Sequence, residues 1–144
     1  KNMEKERFNN FIIVPMGLWN KNTNLKLKTS DGLHSELSSL SGEKEIGVVC
    51  LDDELKKLKI SKVDVIKMDI EGAEIEAIQG ARETLKRNNV HVAIASYHIV
   101  DGKTTSIFLE DYLSKLGYKV KSDFPKHKTT YGKKDGEFKI LNMQ

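Results

Sequence analysis

Between Val63 and Tyr97 the sequence changes its hydrophobic period twice, and few folds accommodate that. VDVIKM (63–68) is an apolar run of strand length. Ala73, Ala77, Ile78, Ala81 and Leu85 then recur at helical spacing, while Glu74, Glu76, Arg82, Glu83 and Lys86 fall largely on the other face. HVAIASY (91–97) is a second, nearly continuous apolar run. The order strand, amphipathic helix, strand predicts a crossover between two parallel neighbours, because parallel strands cannot be joined by a tight turn. Acidic residues come early in the helix and basic ones late, the order that the helix dipole favours.

The remaining chain extends this pattern. FIIV (11–14) reads as a short buried strand, stopped by Pro15 and Gly17. Leu25 to Thr29 alternates with period two, Ser30 to Lys44 reads as a loop, and Ile46 to Leu51 is again strand-like, so a hairpin or small extension is expected from Leu25 to Leu51. Asp52 can cap a short helix in which Leu55 and Leu58 share a face. After a loop containing Gly102, Thr104 or Thr105 can cap a helix that turns Phe108, Leu109, Tyr112, Leu113 and Leu116 inward and ends at Gly117. Tyr118 to Ser122 and Glu137 to Leu141 read as the last strands. The polar connection from Asp123 to Gly136, with Pro125 and Gly132, leaves no room for a helical crossover. The fold class expected is therefore α/β: a mostly parallel sheet with helices on both faces and an antiparallel C-terminal hairpin, in a single domain spanning 1–144.

Composition narrows the partners. The formal net charge is +3, from 24 basic and 21 acidic residues, and the signs are interspersed, which argues against nucleic acid. The basic stretch from Lys119 to Lys139 reads as a solvated edge. No apolar stretch approaches the roughly 18 residues of a membrane span. A single cysteine, Cys50, precludes an internal disulfide and fits a reducing, cytoplasmic setting; in its apolar run it reads as a small buried side chain. The first residue is Lys, and KNMEKERFNN reads as the end of a helix, so a preceding segment is expected.

Ligands of open α/β sheets bind beyond the carboxyl ends of the strands. That points to Pro15-Met16-Gly17, to Asp69-Ile70-Glu71-Gly72, to Tyr97-His98 and to the final hairpin loop. Asp69 and Glu71 are two carboxylates at a strand tip and a helix start; they read either as catalytic groups or as helix caps. His98 reads as a general base or as a hydrogen-bonded loop histidine. Trp19 reads as packing, and Tyr131 as a loop tyrosine able to reach a substrate. No zinc-ligand spacing, GxSxG, phosphate-binding loop or HExxH occurs.

VDVIKMDIEGAEIEAIQGARETL (63–85) resembles the signature of FkbM-type methyltransferases, with Lys67, Asp69, Glu71, Gly72, Ala73, Glu74, Gly80 and Ala81 in place. FIIVPMGLWN, VVCLDDELKKL, HVAIASYH and GYKVKSDFP extend the resemblance over nearly the whole chain. Cys50 stands where the family usually has a hydroxyl residue, and Ser96 where it often has an acid. The resemblance implies a Rossmann-like fold that uses S-adenosylmethionine, usually to methylate a hydroxyl oxygen of a small molecule or sugar. It implies Met16, Gly17 and Leu18 near the adenine, Asp69 near the sulfonium, and Asp69, Glu71 or His98 as the group taking the acceptor's proton. The alternative role that the resemblance implies for Asp69 is ligation of a divalent metal that activates the acceptor. The glycine-rich loop and ribose-binding acid of such folds do not occur here, since no two of the ten glycines are spaced GxG. The N-terminal strands are thus expected to be absent and the chain alone inactive, with an open strand edge that leads it to associate with another copy. Two other readings remain: a non-catalytic binding or interaction domain that keeps the fold, and a carboxylate-metal hydrolase using Asp69 and Glu71.

Overall fold

The structure, a computed structural model, describes residues 10–29, 35–38, 44–123 and 127–135. In chain order these form β1 (Gly17–Trp19), β2 (Thr23–Thr29), β3 (Ser35–Ser38), β4 (Lys44–Cys50), α1 (Leu51–Lys57), β5 (Val65–Met68), α2 (Glu74–Gln79), α3 (Arg82–Arg87), β6 (His91–Ala95), β7 (Ile99–Val100), β8 (Lys103–Thr104), α4 (Thr105–Lys115), β9 (Lys119–Asp123) and β10 (Thr129–Lys133). The strands build two four-stranded sheets, ordered β1-β4-β2-β3 and β5-β6-β10-β9, and a small β7-β8 hairpin.

The double change of period produces the crossover it predicts. β5 and β6 pair in parallel, from Val65 opposite His91 to Met68 opposite Ile94. Ile66 and Met68 alternate inward and join Val92 and Ile94, Ala77, Ile78, Ala81 and Leu85 of the crossover, and Leu109 and Leu113 of α4 in one core. Tyr118 closes this core, its hydroxyl donating to the Leu85 carbonyl oxygen at 3.1 Å; burial pushes its phenol up to about 12. Gly117 ends α4 with φ +84, the left-handed conformation that glycine adopts without a Cβ clash.

Several expectations are corrected. The sheets are mixed, not mostly parallel: β1–β4 and β5–β6 are parallel, and the other pairs are antiparallel. Helices α2, α3 and α4 share the core on a single face of the second sheet. On the other face Val65 is 63% exposed, so β5 alternates where burial on both sides was expected. Phe11 to Val14 forms no strand; Phe11, Ile12 and Ile13 are exposed, and the strand begins only after Pro15. Among the described residues no chain runs beside Phe11–Val14 to complete its hydrogen bonds, and β-propensity alone cannot supply them. β3 lies within the stretch read as a loop, paired antiparallel to β2. The antiparallel partner of β9 is β10, within the segment read as a turn; Gly132 lets it approach, since a Cβ there would come within 2.8 Å of Val92 Cγ2. The strand expected at 137–141 and most of the helix end expected at 1–10 lie outside the described residues.

The helix expected from residue 73 onward is two helices, and Gly80 is the reason. A Cβ on Gly80 would collide with the Trp19 carbonyl oxygen, so the crossover packs its backbone directly onto β1. The Gly80 carbonyl accepts the Asp52 N–H at 3.0 Å and the Cys50 thiol at 3.0 Å instead of continuing the helical ladder. Asp52 does not cap its own helix. Its carboxylate accepts the N–H groups of Glu83 and Thr84, each at 2.8 Å, and the Thr84 hydroxyl at 2.6 Å, so it caps α3 across the tertiary structure. Overpacking of this kind typically costs about 1–3 kcal/mol. Gly80→Ala is therefore expected to lower unfolding free energy by about that amount, read as a lower urea midpoint at unchanged slope.

Candidate functional site

The Asp69-Ile70-Glu71-Gly72 segment leaves the tip of β5 through a turn that few residues tolerate. Glu71 has φ +56 and Gly72 φ +97. Glycine adopts the second without penalty, whereas a glutamate at positive φ costs on the order of 1 kcal/mol. Glu74 holds the turn in that shape. Its side chain is fully buried, and Oε1 accepts the Ile70 N–H at 2.9 Å. Helical periodicity had put Glu74 on the solvent face; the structure buries it because it opens α2 and folds back over the turn.

β6 ends in Ser96-Tyr97-His98, and the next turn fixes His98. Asp101 and Gly102 both have positive φ, the two-residue Asp-Gly hairpin between β7 and β8. The N–H of Thr105, just past that hairpin, donates to the His98 carbonyl at 2.9 Å. The ring then lies between two carboxylates: Nε2 is 3.5 Å from Glu71 Oε2, and Nδ1 is 3.3 Å from Glu74 Oε1. The Tyr97 ring sits 4.2 Å from the His98 ring, centroid to centroid. Its hydroxyl donates to Asp69 Oδ1 at 3.4 Å, and Lys67 Nζ lies 3.7 Å from Asp69 Oδ2. Burial, followed by the charges of Asp69 and Glu71, raises the Tyr97 phenol above its ordinary range, so it remains a donor.

Asp69, Glu71 and His98, chosen from the sequence, are thus brought together by the parallel pair. Glu71 and His98 line a polar cleft of about 300 Å³ with Trp19, Gly72 and Glu76. Burial raises the Glu76 carboxyl, and the charge of Glu74 adds to that shift. Met16, Gly17 and Leu18 lie elsewhere, in an apolar pocket of about 410 Å³ that also touches Ile70 and Glu54. A further cavity, about 620 Å³, opens between α1 and α3, away from the strand tips; Asp52 on its wall is committed to capping α3.

Other candidates have structural employment. Ser96, where the resemblance leads one to expect an acid, is fully buried and donates its hydroxyl to the Lys128 carbonyl at 3.1 Å, so it does not reach the cleft. Tyr131 belongs to β10 rather than to a loop. Trp19 supplies both the backbone under Gly80 and a wall of the cleft. Glu74 was missed as a site residue, and Tyr97 was placed at the strand tip without a role of its own. The signal for Glu74 was its spacing: an acid four residues after Ile70 and just inside a helix start is placed to bond backward to the turn.

The fold is α/β, and the acids and the histidine converge at the carboxyl ends of two parallel strands, the place where open α/β sheets commonly take their ligands. The chain matches the methyltransferase FkbM domain over residues 4–120, and it belongs to that family. It is similar in fold to the crystal structure of methyltransferase FkbM from Methylobacillus flagellatus KT, with a TM-score of 0.54 and 21% identity, over 81% of this chain and 27% of that one. The chain thus spans about a quarter of that protein's length. A comparison with curated proteins finds no match.

Glu74→Ala removes the acceptor for the Ile70 N–H and is expected to cost about 1–3 kcal/mol, the usual penalty for a buried donor left unsatisfied. Glu74→Gln keeps an acceptor oxygen and is expected to retain most of that stability. Paired denaturant titrations check this; equal losses in the two variants would refute the assignment.

Proposed function

We propose that this chain forms part of an S-adenosylmethionine-dependent methyltransferase that methylates a hydroxyl oxygen of a small molecule or sugar. One observation carries the reading beyond family membership. The Asp69–Gly72 turn contributes Ile70 to the apolar pocket lined by Met16, Gly17 and Leu18, and Glu71 and Gly72 to the polar cleft with His98. An apolar pocket with a single carboxylate wall, Glu54, suits a flat, weakly polar group such as adenine. A polar cleft next to it suits an acceptor that must lose a proton.

S-adenosylmethionine, when bound, supplies an electrophilic methyl group. This chain's own residues would orient the acceptor and take its proton. Glu71 is the cleft carboxylate beside the histidine and would accept that proton; His98 Nε2 lies 3.5 Å from its Oε2. Asp69, at the strand tip and 41% exposed, contributes negative charge where a sulfonium is expected. Neither a membrane nor a nucleic-acid partner enters this reading. No helix among the described residues is long and apolar enough to cross a membrane. A reducing, cytoplasmic setting suits Cys50, whose thiol is engaged with the Gly80 carbonyl.

Calorimetric titration of S-adenosylhomocysteine tests the reading. This chain alone is expected to bind weakly, because a glycine-rich loop and ribose acid are not among its residues. Supplied with the upstream portion of an FkbM domain it is expected to bind, and Glu71→Gln is expected to lower kcat about 10²–10⁴-fold with little change in that binding. No binding in either form would sink the proposal and leave a non-catalytic binding domain as the better reading.

Phe11, Ile12, Ile13 and Val65 are exposed, and β5 is an edge strand of its sheet. Exposed apolar side chains and an open strand edge each favour association. We expect concentration-dependent self-association in sedimentation velocity; a single monomeric species at high concentration would count against it.

A further inference from the structure

We infer that Asp69, Glu74 and His98 form a binding site for one divalent first-row cation of the Mn²⁺ type. The inference deepens the proposed function, since it concerns the same strand tips, but its test involves neither cofactor nor turnover.

Each of the three residues offers one ligand atom, and these atoms all lie within 4.8 Å of one another. Metal–ligand bonds of about 2.1 Å place adjacent ligands about 3 Å and opposite ligands about 4.2 Å apart, so the cluster must close on the ion. The exposed Asp69 side chain would supply that closure by giving up its 3.4 Å contact with the Tyr97 hydroxyl and its 3.7 Å contact with Lys67 Nζ. The cluster alone would be no more than a group of acids near a histidine. A second observation points to a ligand: Glu74 has no exposed side-chain surface, and its Oε2 has no hydrogen-bond partner among the described residues. An ionised carboxylate in that position is costly unless a proton or cation compensates it. Among the described residues both ring nitrogens of His98, 14% exposed, likewise make no hydrogen bond and stand only at ion-pair distance from carboxylates.

The two faces of the histidine ring assign themselves. Nδ1 lies toward Glu74, and Nε2 lies toward Glu71. A histidine that ligates a metal through one nitrogen commonly donates its other N–H to a carboxylate, which fixes the tautomer and strengthens the ligand. Glu71 stands where that outer carboxylate belongs. Two carboxylates and one imidazole are mixed oxygen and nitrogen donors without sulfur, a set that suits Mn²⁺ and its neighbours better than thiolate-seeking ions. A cation held here would border the cleft and lower the pKa of an acceptor hydroxyl that reached it.

The experiment is a titration of the full 144-residue chain with Mn²⁺ alone, read by the loss of the free-ion electron paramagnetic resonance signal, with circular dichroism to verify folding. One equivalent is expected to bind. Glu74→Gln and Asp69→Asn are each expected to weaken binding at least tenfold, and Glu83→Gln, on α3, to leave it unchanged. Asp69 is exposed, so its variant remains informative even if a Glu74 substitution unfolds the chain. A folded chain that binds no Mn²⁺ at millimolar concentration would overturn the inference, as would binding that Asp69→Asn leaves intact. Because no cofactor enters the titration, one equivalent of Mn²⁺ bound and then lost in Asp69→Asn would uphold the site whether or not the methyltransferase reading holds.

Discussion

A single fully buried carboxylate, that of Glu74, ties the site together. It accepts the Ile70 N–H, and so holds the turn in which Glu71 and Gly72 take left-handed conformations. It also stands 3.3 Å from His98 Nδ1, on the neighbouring strand's loop. Burial makes this contact consequential: a charged oxygen out of reach of water demands compensation from whatever surrounds it. The Ile70 N–H meets part of that demand and His98 Nδ1 stands at ion-pair distance, while Oε2 is left without a hydrogen bond among the described residues.

The same logic, with backbone in place of charge, joins the two sheets. Gly80 has no side chain, so the crossover from β5 to β6 can rest on the Trp19 backbone of β1. The carbonyl freed by the break is taken by Asp52 and Cys50, and the N–H groups at the start of α3 are taken by the Asp52 carboxylate. The Gly80 carbonyl and the N–H groups of Glu83 and Thr84 thus find partners where β4 runs into α1. The Gly-Ala step of the family signature therefore marks a packing requirement, whereas the Asp-x-Glu-Gly step marks the mouth of the site.

Legibility varied with the kind of information each feature needs. The βαβ unit was plain because both periods are long and unbroken, and α4 because its apolar stripe and Gly117 agree. Asp69, Glu71 and His98 were legible as candidates because strand tips in α/β proteins gather ligands. FIIV misled because β-branched composition looks the same whether or not a neighbouring strand exists to pair with it. β10 hid within a polar stretch because TTYGK lacks an apolar run; it is a strand because β6 and β9 bond to it on both sides. Glu74 hid because helical periodicity assigns a face to every residue and takes no account of a side chain bonding backward to its own turn.

The sequence by itself determined the parallel β5–β6 pair, its crossover, the fourth helix and the identity of the acids and histidine near the site. Those depend on local spacing, which one chain carries in full. Only the tertiary structure decided that the crossover breaks at Gly80, that Asp52 caps a helix other than its own, that the second sheet is covered on one face, and that Glu74 lies buried beside His98. Each of these depends on which backbone or charge arrives from a distant part of the chain. No local pattern encodes that arrival; it is fixed when the sheets pack and water is excluded.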